Sequence, residues 1–191
     1  PGMRLEQLGD DLIAYMEGAI VPVAFIGGNE VMGARRALTE FGLTGPHALA
    51  NLGSSHIGVD EHTIYEYHGG ENIDDHISDL IRPTVFDNIH KTLRNRTRVM
   101  FSPMTDEVLI CYPDTTATND ANQCVVYNTR EKTWSGPFSI TATMLALVRK
   151  MTATLGTPQL LFVDDTGIVH DIGAAQTANG TAITRTAEST D

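Results

Sequence analysis

The side chains of this sequence that could do chemistry are seven histidines, a run of acids and one cluster of arginines. The histidines are His47, His56, His62, His68, His76, His90 and His170. A zinc hydrolase would set two of them four residues apart on one helix with a glutamate as base. No pair has that spacing, so scattered surface histidines account for the pattern better than a metal site. Asp164-Asp165-Thr166-Gly167 is half of a calcium loop, without the oxygen series or the distal glutamate. It reads as a hairpin turn in which an aspartate accepts hydrogen bonds from its own backbone. Glu71, Asp74, Asp75 and Asp79 would hold a cation only if they converged, and a solvated helix face explains them without a ligand. A glycosidase needs two carboxylates flanking a sugar bond, and nothing here fixes such a pair. Gly27-Gly28 and Gly69-Gly70 lack the strand–glycine–helix context and the Lys-Ser/Thr of a phosphate loop. The sequence therefore assigns no catalytic residue, no metal ligand and no cofactor.

Arg94-Asn95-Arg96-Thr97-Arg98 is the one basic cluster. If the following strand begins early, its period of two puts Arg94, Arg96 and Arg98 on one side. Such a row either guards an exposed edge against aggregation or forms an intersubunit salt-bridge strip, since the guanidinium fork suits interface carboxylates.

The elements that must position these residues are mostly hairpins. Residues 122–138 are the most informative. Gln123 to Tyr127 is β-branched and aromatic and reads as a strand. Residues 128–132 form a polar turn, Thr133 and Trp134 begin the return strand, and Gly136-Pro137 ends it. A Tyr–Asn turn followed by Trp resembles the kelch-type signature of a β-propeller blade, in which Tyr127 and Trp134 pack against neighbouring blades. Further hairpins are expected over 12–26, 54–67, 96–112 and 160–172, and lone strands over 47–52 and 142–148. Pro22 argues for an edge position or a bulge. Residues 31–41 read either as a short helix or as a loop and strand. Ile73, Ile77, Leu80 and Ile81 share one helical face, so a helical insertion is expected over 73–92, ended or kinked by Pro83.

Turns near Gly18, His62 and Asp106 are spaced 44 residues apart, within the roughly 40–50 residue period of propeller blades. The fold expected for 1–191 is one all-β, mainly antiparallel domain of β-propeller-like blades with a short helical insertion. About three or four blades fit this length, so the propeller would be incomplete. The expected core is Leu12, Ile13, Phe25, Ile57, Ile64, Tyr65, Val99, Phe101, Leu109, Val125, Tyr127, Trp134, Phe138, Leu161 and Val163. With Pro1 in first place and 181–191 resembling a strand cut short, the chain is expected to be a processed product or a piece of a longer one.

Composition narrows the function classes. Of 191 residues, 41% are hydrophobic and 19% charged, which is the balance of a folded chain. A net charge of −11 with no basic stripe argues against sequence-specific DNA binding. An acidic surface aids solubility, and it would also suit a channel that DNA passes without sticking. Cys111 and Cys124 fall on predicted strands among apolar neighbours and read as buried free thiols. No apolar run is long enough to span a membrane.

The order of features as a whole resembles the β-propeller region of the tail nozzle proteins of short-tailed bacteriophages, also called packaged-DNA stabilisation proteins or tail tubular proteins B. The closest motifs are Val125-Val126-Tyr127-Asn128 with Trp134, and Ile64-Tyr65-Glu66-Tyr67-His68-Gly69-Gly70. Arg35-Arg36-Ala37-Leu38 before a Gly-Pro step and the strand at Ala182-Ile183-Thr184 add to it. The acidic segment that follows that strand in such proteins is absent here, and family members are usually several hundred residues long. The resemblance implies a structural virion protein of the phage tail, made in the host cytoplasm, with no catalysis. It implies a hexameric ring that meets adaptor or portal-proximal tail proteins and tail fibres, retains packaged DNA and lets it pass at ejection. Arg94, Arg96, Arg98, Tyr127 and Trp134 are then the candidate interface residues. The alternative is a glycan-binding propeller or tail-fibre module for host adhesion, which predicts exposed aromatics on one rim. A propeller hydrolase comes third.

Overall fold

The computed structural model describes residues 2–27, 32–142, 144–149, 158–164, 166–172, 177–178 and 181–182. The chain is all-β and antiparallel, and every strand pairs with its neighbour in sequence. The first sheet is β1 (Gly2–Leu8), β2 (Asp11–Met16), β3 (Ile20–Phe25) and β4 (Met32–Ala34). The second is β5 (Leu49–Asn51), β6 (His56–Val59), β7 (Ile64–Tyr67) and β8 (Ile73–Asp74). The third is β9 (Arg98–Ser102), β10 (Glu107–Tyr112), β11 (Ala121–Asn128) and β12 (Thr133–Ala142). A three-stranded fourth sheet holds β13 (Met144–Arg149), β14 (Pro158–Val163) and β15 (Val169–Ile172). A two-stranded ladder joins β16 (Thr177–Ala178) to β17 (Thr181–Ala182).

The sheets follow one another in space as in sequence. First strands touch: β5 lies against β9, and β9 against β13. One apolar core runs from Ile13 and Tyr15 of the first sheet through Ile57, Ile64 and Tyr65 of the second to Val108, Val125 and Tyr127 of the third. A separate cluster of Leu109, Cys111, Ala121 and Cys124 lies on the other face of the third sheet, with Phe162 of the fourth packed on it. The second and third sheets are thus covered on both faces. Both cysteines are free and buried, as expected, and they stand directly opposite each other across β10 and β11.

The hairpins form where turn residues allow them. In the turn between β14 and β15, Asp164 Oδ1 accepts from Thr166 N, Thr166 Oγ1 and Ile168 N at 2.7–2.9 Å, the self-capping turn that its sequence predicts. Pro22 sits on an interior strand, opposite a bulge. Its carbonyl accepts from Arg35 N at 2.7 Å. From Val23/Ala34 to Ile20/Leu38 the partner chain then advances one residue more than β3. The missing proline N–H falls where β4 peels away.

Several expectations are corrected. Gly136-Pro137 does not end its strand. β12 continues to Ala142, and the pair lies at a register shift opposite β11 between Cys124 and Val126, on an edge strand where the ladder bond is dispensable. No single helix spans 73–92. Ile73 pairs with Tyr67 in β8, a 3-10 turn covers His76–Ser78, and α1 covers Arg82–Phe86. Pro83 begins α1 rather than ending it, because the first turn of a helix needs no N–H from it. Ile77, Ile81 and Val85 still face the core, but Leu80 is 85% exposed. The turn at Asp106 joins the first two strands of its sheet, whereas those at Gly18 and His62 join the middle two. The 44-residue spacing therefore mixed two kinds of turn. Phe25 and Phe138 were expected in the core and are 70% and 47% exposed. The expected strand end over 183–191 lies outside the described residues.

Gly58 shows how tightly the second sheet is packed. A Cβ there would sit 2.5 Å from the ring of Tyr65, its cross-strand partner, whose hydroxyl donates to Gly42 O at 2.8 Å. Gly58→Ala must push that buried ring away. It is expected to cost about 1–3 kcal/mol, read as a lower urea midpoint at unchanged m-value.

Candidate functional site

The chemistry-bearing side chains converge on the two joints that hold the second sheet between its neighbours. β7 splits its residues as strand geometry requires. Tyr65 and Tyr67 face the first sheet with His56 and Gly58, while Ile64 and Glu66 face the third with Ile57 and Val59. All four residues of β7 are buried.

At the joint with the first sheet, Tyr15 on β2 donates its hydroxyl to His56 Nδ1 at 2.8 Å. His56 Nε2 lies 3.0 Å from Gln7 O, a pure acceptor. The carbonyl requires N–H at Nε2, and in the neutral ring that burial favours Nδ1 is then the acceptor. Burial pushes the His56 pKa down and the Tyr15 pKa far up. Around this pair Arg4 donates to Glu6 at 2.6 Å and to Leu49 O at 3.0 Å. Asn51 donates to Glu6 Oε1 and Gln7 O, both at 3.1 Å. Burial raises the Glu6 carboxyl, but these donors hold it below the usual range. Side chains thus lace β1 to β5.

At the joint with the third sheet, Tyr127 and Trp134 are register partners with ring centroids 4.7 Å apart. Trp134 Nε1 donates to Ile77 O at 2.7 Å, reaching across to the 3-10 turn after β8. Lys132 Nζ lies 3.6 Å from Glu66 Oε2 and 5.8 Å from the Tyr127 ring centroid. The Lys132 pKa, pulled down by burial, is carried up by Glu66 and Tyr127. Lys132 is also held at φ 56, a left-handed conformation costing a residue with a Cβ about 1–2 kcal/mol. Glu66 is 7% exposed and takes its second bond from Ser55 Oγ at 2.6 Å. Lys132 supplies the counter-charge and Ser55 a hydrogen bond to a carboxylate that burial would otherwise penalise, and the Tyr127 ring flanks the ammonium.

The expected arginine row is not a row. Arg94 and Arg96 belong to the 3-10 turn Arg94–Arg96, and the strand starts only at Arg98. Arg94 pairs with Glu61 of the β6–β7 turn, and Arg98 is half-buried beside Asp120. Tyr127 and Trp134, expected at a subunit interface, lie between two sheets of one chain. The acids of 71–79 are also answered internally. Arg82 pairs with Asp79 at 3.2 Å and Asp75 at 3.8 Å, Arg36 with Glu71 at 3.4 Å, and Asp74 accepts from His76 N at 3.0 Å. Among the described residues no group of three or more His, Cys, Asp or Glu is placed to hold a metal ion. The surface reading of the histidines fails at His56, which is wholly buried.

No family model matches the chain, and neither does any curated protein. Among the described residues no helix is long and apolar enough to cross a membrane.

The joints missed from sequence, Tyr15–His56 and Glu66–Lys132, have a signal in hindsight. His56 and Glu66 are polar residues inside otherwise apolar, aromatic hairpin strands, which argues for a buried partner. Two tests follow. Trp134→Phe keeps an aromatic ring but removes the bond to Ile77 O, and is expected to cost about 1 kcal/mol in urea denaturation. The folded His56 pKa lies below the unfolded value of about 6.5. Between the two the unfolded chain binds a proton that the folded chain refuses. Stability is then full above about pH 6.5 and falls as the pH drops toward the folded value. Thermal melting should fall over that window, and less steeply in His56→Gln. A residual slope is expected from His47, whose pKa is also lowered, by burial and by Arg98 and Arg4.

Proposed function

We propose that the chain is a structural subunit of a ring-shaped virion part of the phage tail nozzle type, with its sheets arranged as propeller blades. The observation that carries this reading is the serial stacking of antiparallel meander sheets, with the first strands β5, β9 and β13 side by side. A blade of a propeller is such a meander, packed on its neighbours around an axis. The Tyr127/Trp134 pair that led to the resemblance sits at a joint of this kind. The ionisable groups grouped at the joints pair with one another and do structural work.

In this reading the ring retains packaged DNA and permits its ejection. The charged residues on the first strands β1, β5, β9 and β13 are Arg4, Glu6, Arg98 and Arg149, and among the described residues the excess acid lies on turns and loops. Acidic loops would repel phosphates and let DNA slide past. Adaptor or portal-proximal tail proteins and tail fibres would be the neighbours. The glycan-binding alternative needs exposed aromatic platforms. All five tyrosines, Tyr15, Tyr65, Tyr67, Tyr112 and Tyr127, are buried, Trp134 is engaged at its joint, and the exposed aromatics Phe25 and Phe138 lie apart, on the first and third sheets.

Negative-stain images of the purified protein are expected to show rings of about six subunits around an open channel, the closed symmetry typical of homo-oligomers. Fluorescence anisotropy with a short duplex is expected to show no binding below about 100 μM at 0.15 M salt, the weak limit of non-specific binders. Images without rings, or micromolar DNA affinity, would overturn the proposal.

A further inference from the structure

The exposed large apolar side chains concentrate at the two ends of the stack. In the first sheet they include Leu5, Phe25 and Met32, and in the fourth Ile168 and Val169. In the first sheet they belong to one face. Register places Leu5 beside Ala14 and Val21, Leu12 beside Val23, and Phe25 beside Met32. The opposite face, with Ile13, Tyr15 and Ile20, is buried against the second sheet. The first sheet thus presents an apolar face to solvent, with Leu5 63% and Phe25 70% exposed. The fourth sheet has the matching condition. Phe162 packs on the third sheet, so the neighbouring Leu161 and Val163 point the other way. Val169 pairs with Val163 and is 59% exposed.

We infer that the open face of the first sheet is an assembly surface whose occupant is the outer face of the fourth sheet of a second copy. The argument is continuity. Each sheet-to-sheet contact within the chain covers the face of one sheet with the next sheet in order. A neighbouring copy placed head to tail continues that order across the chain boundary. The two surfaces differ, so the contact is heterologous, and heterologous contacts close into rings when the rotation per copy allows. Contiguous exposed apolar surface of this kind is rare on monomers and marks interaction sites. This inference rests on the ring reading above and supplies the contact that would build the ring.

The test uses the full chain in about 0.15 M salt, where charges more than about 8 Å apart are screened, since copies of charge −11 repel. Two variants are made: Val23→Lys/Phe25→Lys on the first sheet, and Val163→Lys/Val169→Lys on the fourth. Circular dichroism and melting confirm that each folds, and light scattering after size exclusion gives the mass. The expected result is an assembled wild type, two variants at the mass of a single chain, and a discrete dimer when the variants are mixed. The mixture retains one intact surface of each kind, so a head-to-tail contact forms once and cannot extend. If the first-sheet variant keeps the wild-type mass, the inference falls while the ring reading stands. If only the first-sheet variant dissociates, like faces pair with like and the inference also falls. A wild type that closes as two copies, with both variants monomeric, upholds the contact and overturns the ring of about six. A monomeric wild type overturns both.

Discussion

The second sheet has no face left for water. With β6 and β7 buried along their whole length, every polar group on them must find its partner inside the protein, because a buried unpaired group costs more than a made bond returns. His56 meets that demand with Tyr15 and Gln7 O, and Glu66 with Ser55 and Lys132. Tyr65 meets it with Gly42 O. Apart from Ser55, which directly precedes β6, these partners come from the first sheet, the segment between β4 and β5, and the turn between β11 and β12 of the third sheet. Satisfying the middle sheet therefore fixes where its neighbours sit. Gly58 belongs to the same constraint, since the Tyr65 ring reaches its bond only by lying over a residue without a Cβ.

Local chemistry was readable and long-range chemistry was not. The hairpins over 12–26, 54–67 and 160–172 were legible because their turns carry Gly, Asp or Asn, which act within a few residues. The two faces of β7 were legible because alternation is a property of the strand alone. The pairs that matter at the joints are separated by 41 residues in Tyr15–His56 and 57 in Trp134–Ile77, and no local pattern encodes such a meeting. The error at Ile73 has a similar origin. Spacing of about four residues satisfies a helix, but a short strand, a 3-10 turn and α1 in series also turn Ile77, Ile81 and Val85 inward. The arginine row failed because the strand was assumed to begin before Arg98. Phe25 is a different kind of miss. Alternation along β3 cannot tell an end sheet, with one face covered, from a middle sheet with two.

The difference between the ends and the middle explains why polar joints and apolar faces are distributed as they are. A joint built on a buried histidine or carboxylate has to be closed at all times, because opening it exposes a group tuned to its partner and closing it wrongly strands a charge. Such joints suit contacts within a chain, where the partner is always present. A surface that waits for a second molecule must tolerate water first. The open face of the first sheet does so: its backbone is paired within the sheet, and Leu5, Val23, Phe25 and Met32 demand no specific donor. The contact between the third and fourth sheets, through Leu109, Cys111, Cys124 and Phe162, has the same apolar character as that face. Burial of this sort is non-directional, so orientation in an assembly would have to come from sheet shape and twist. Meander sheets stacked in one sense supply that shape at every step of the series.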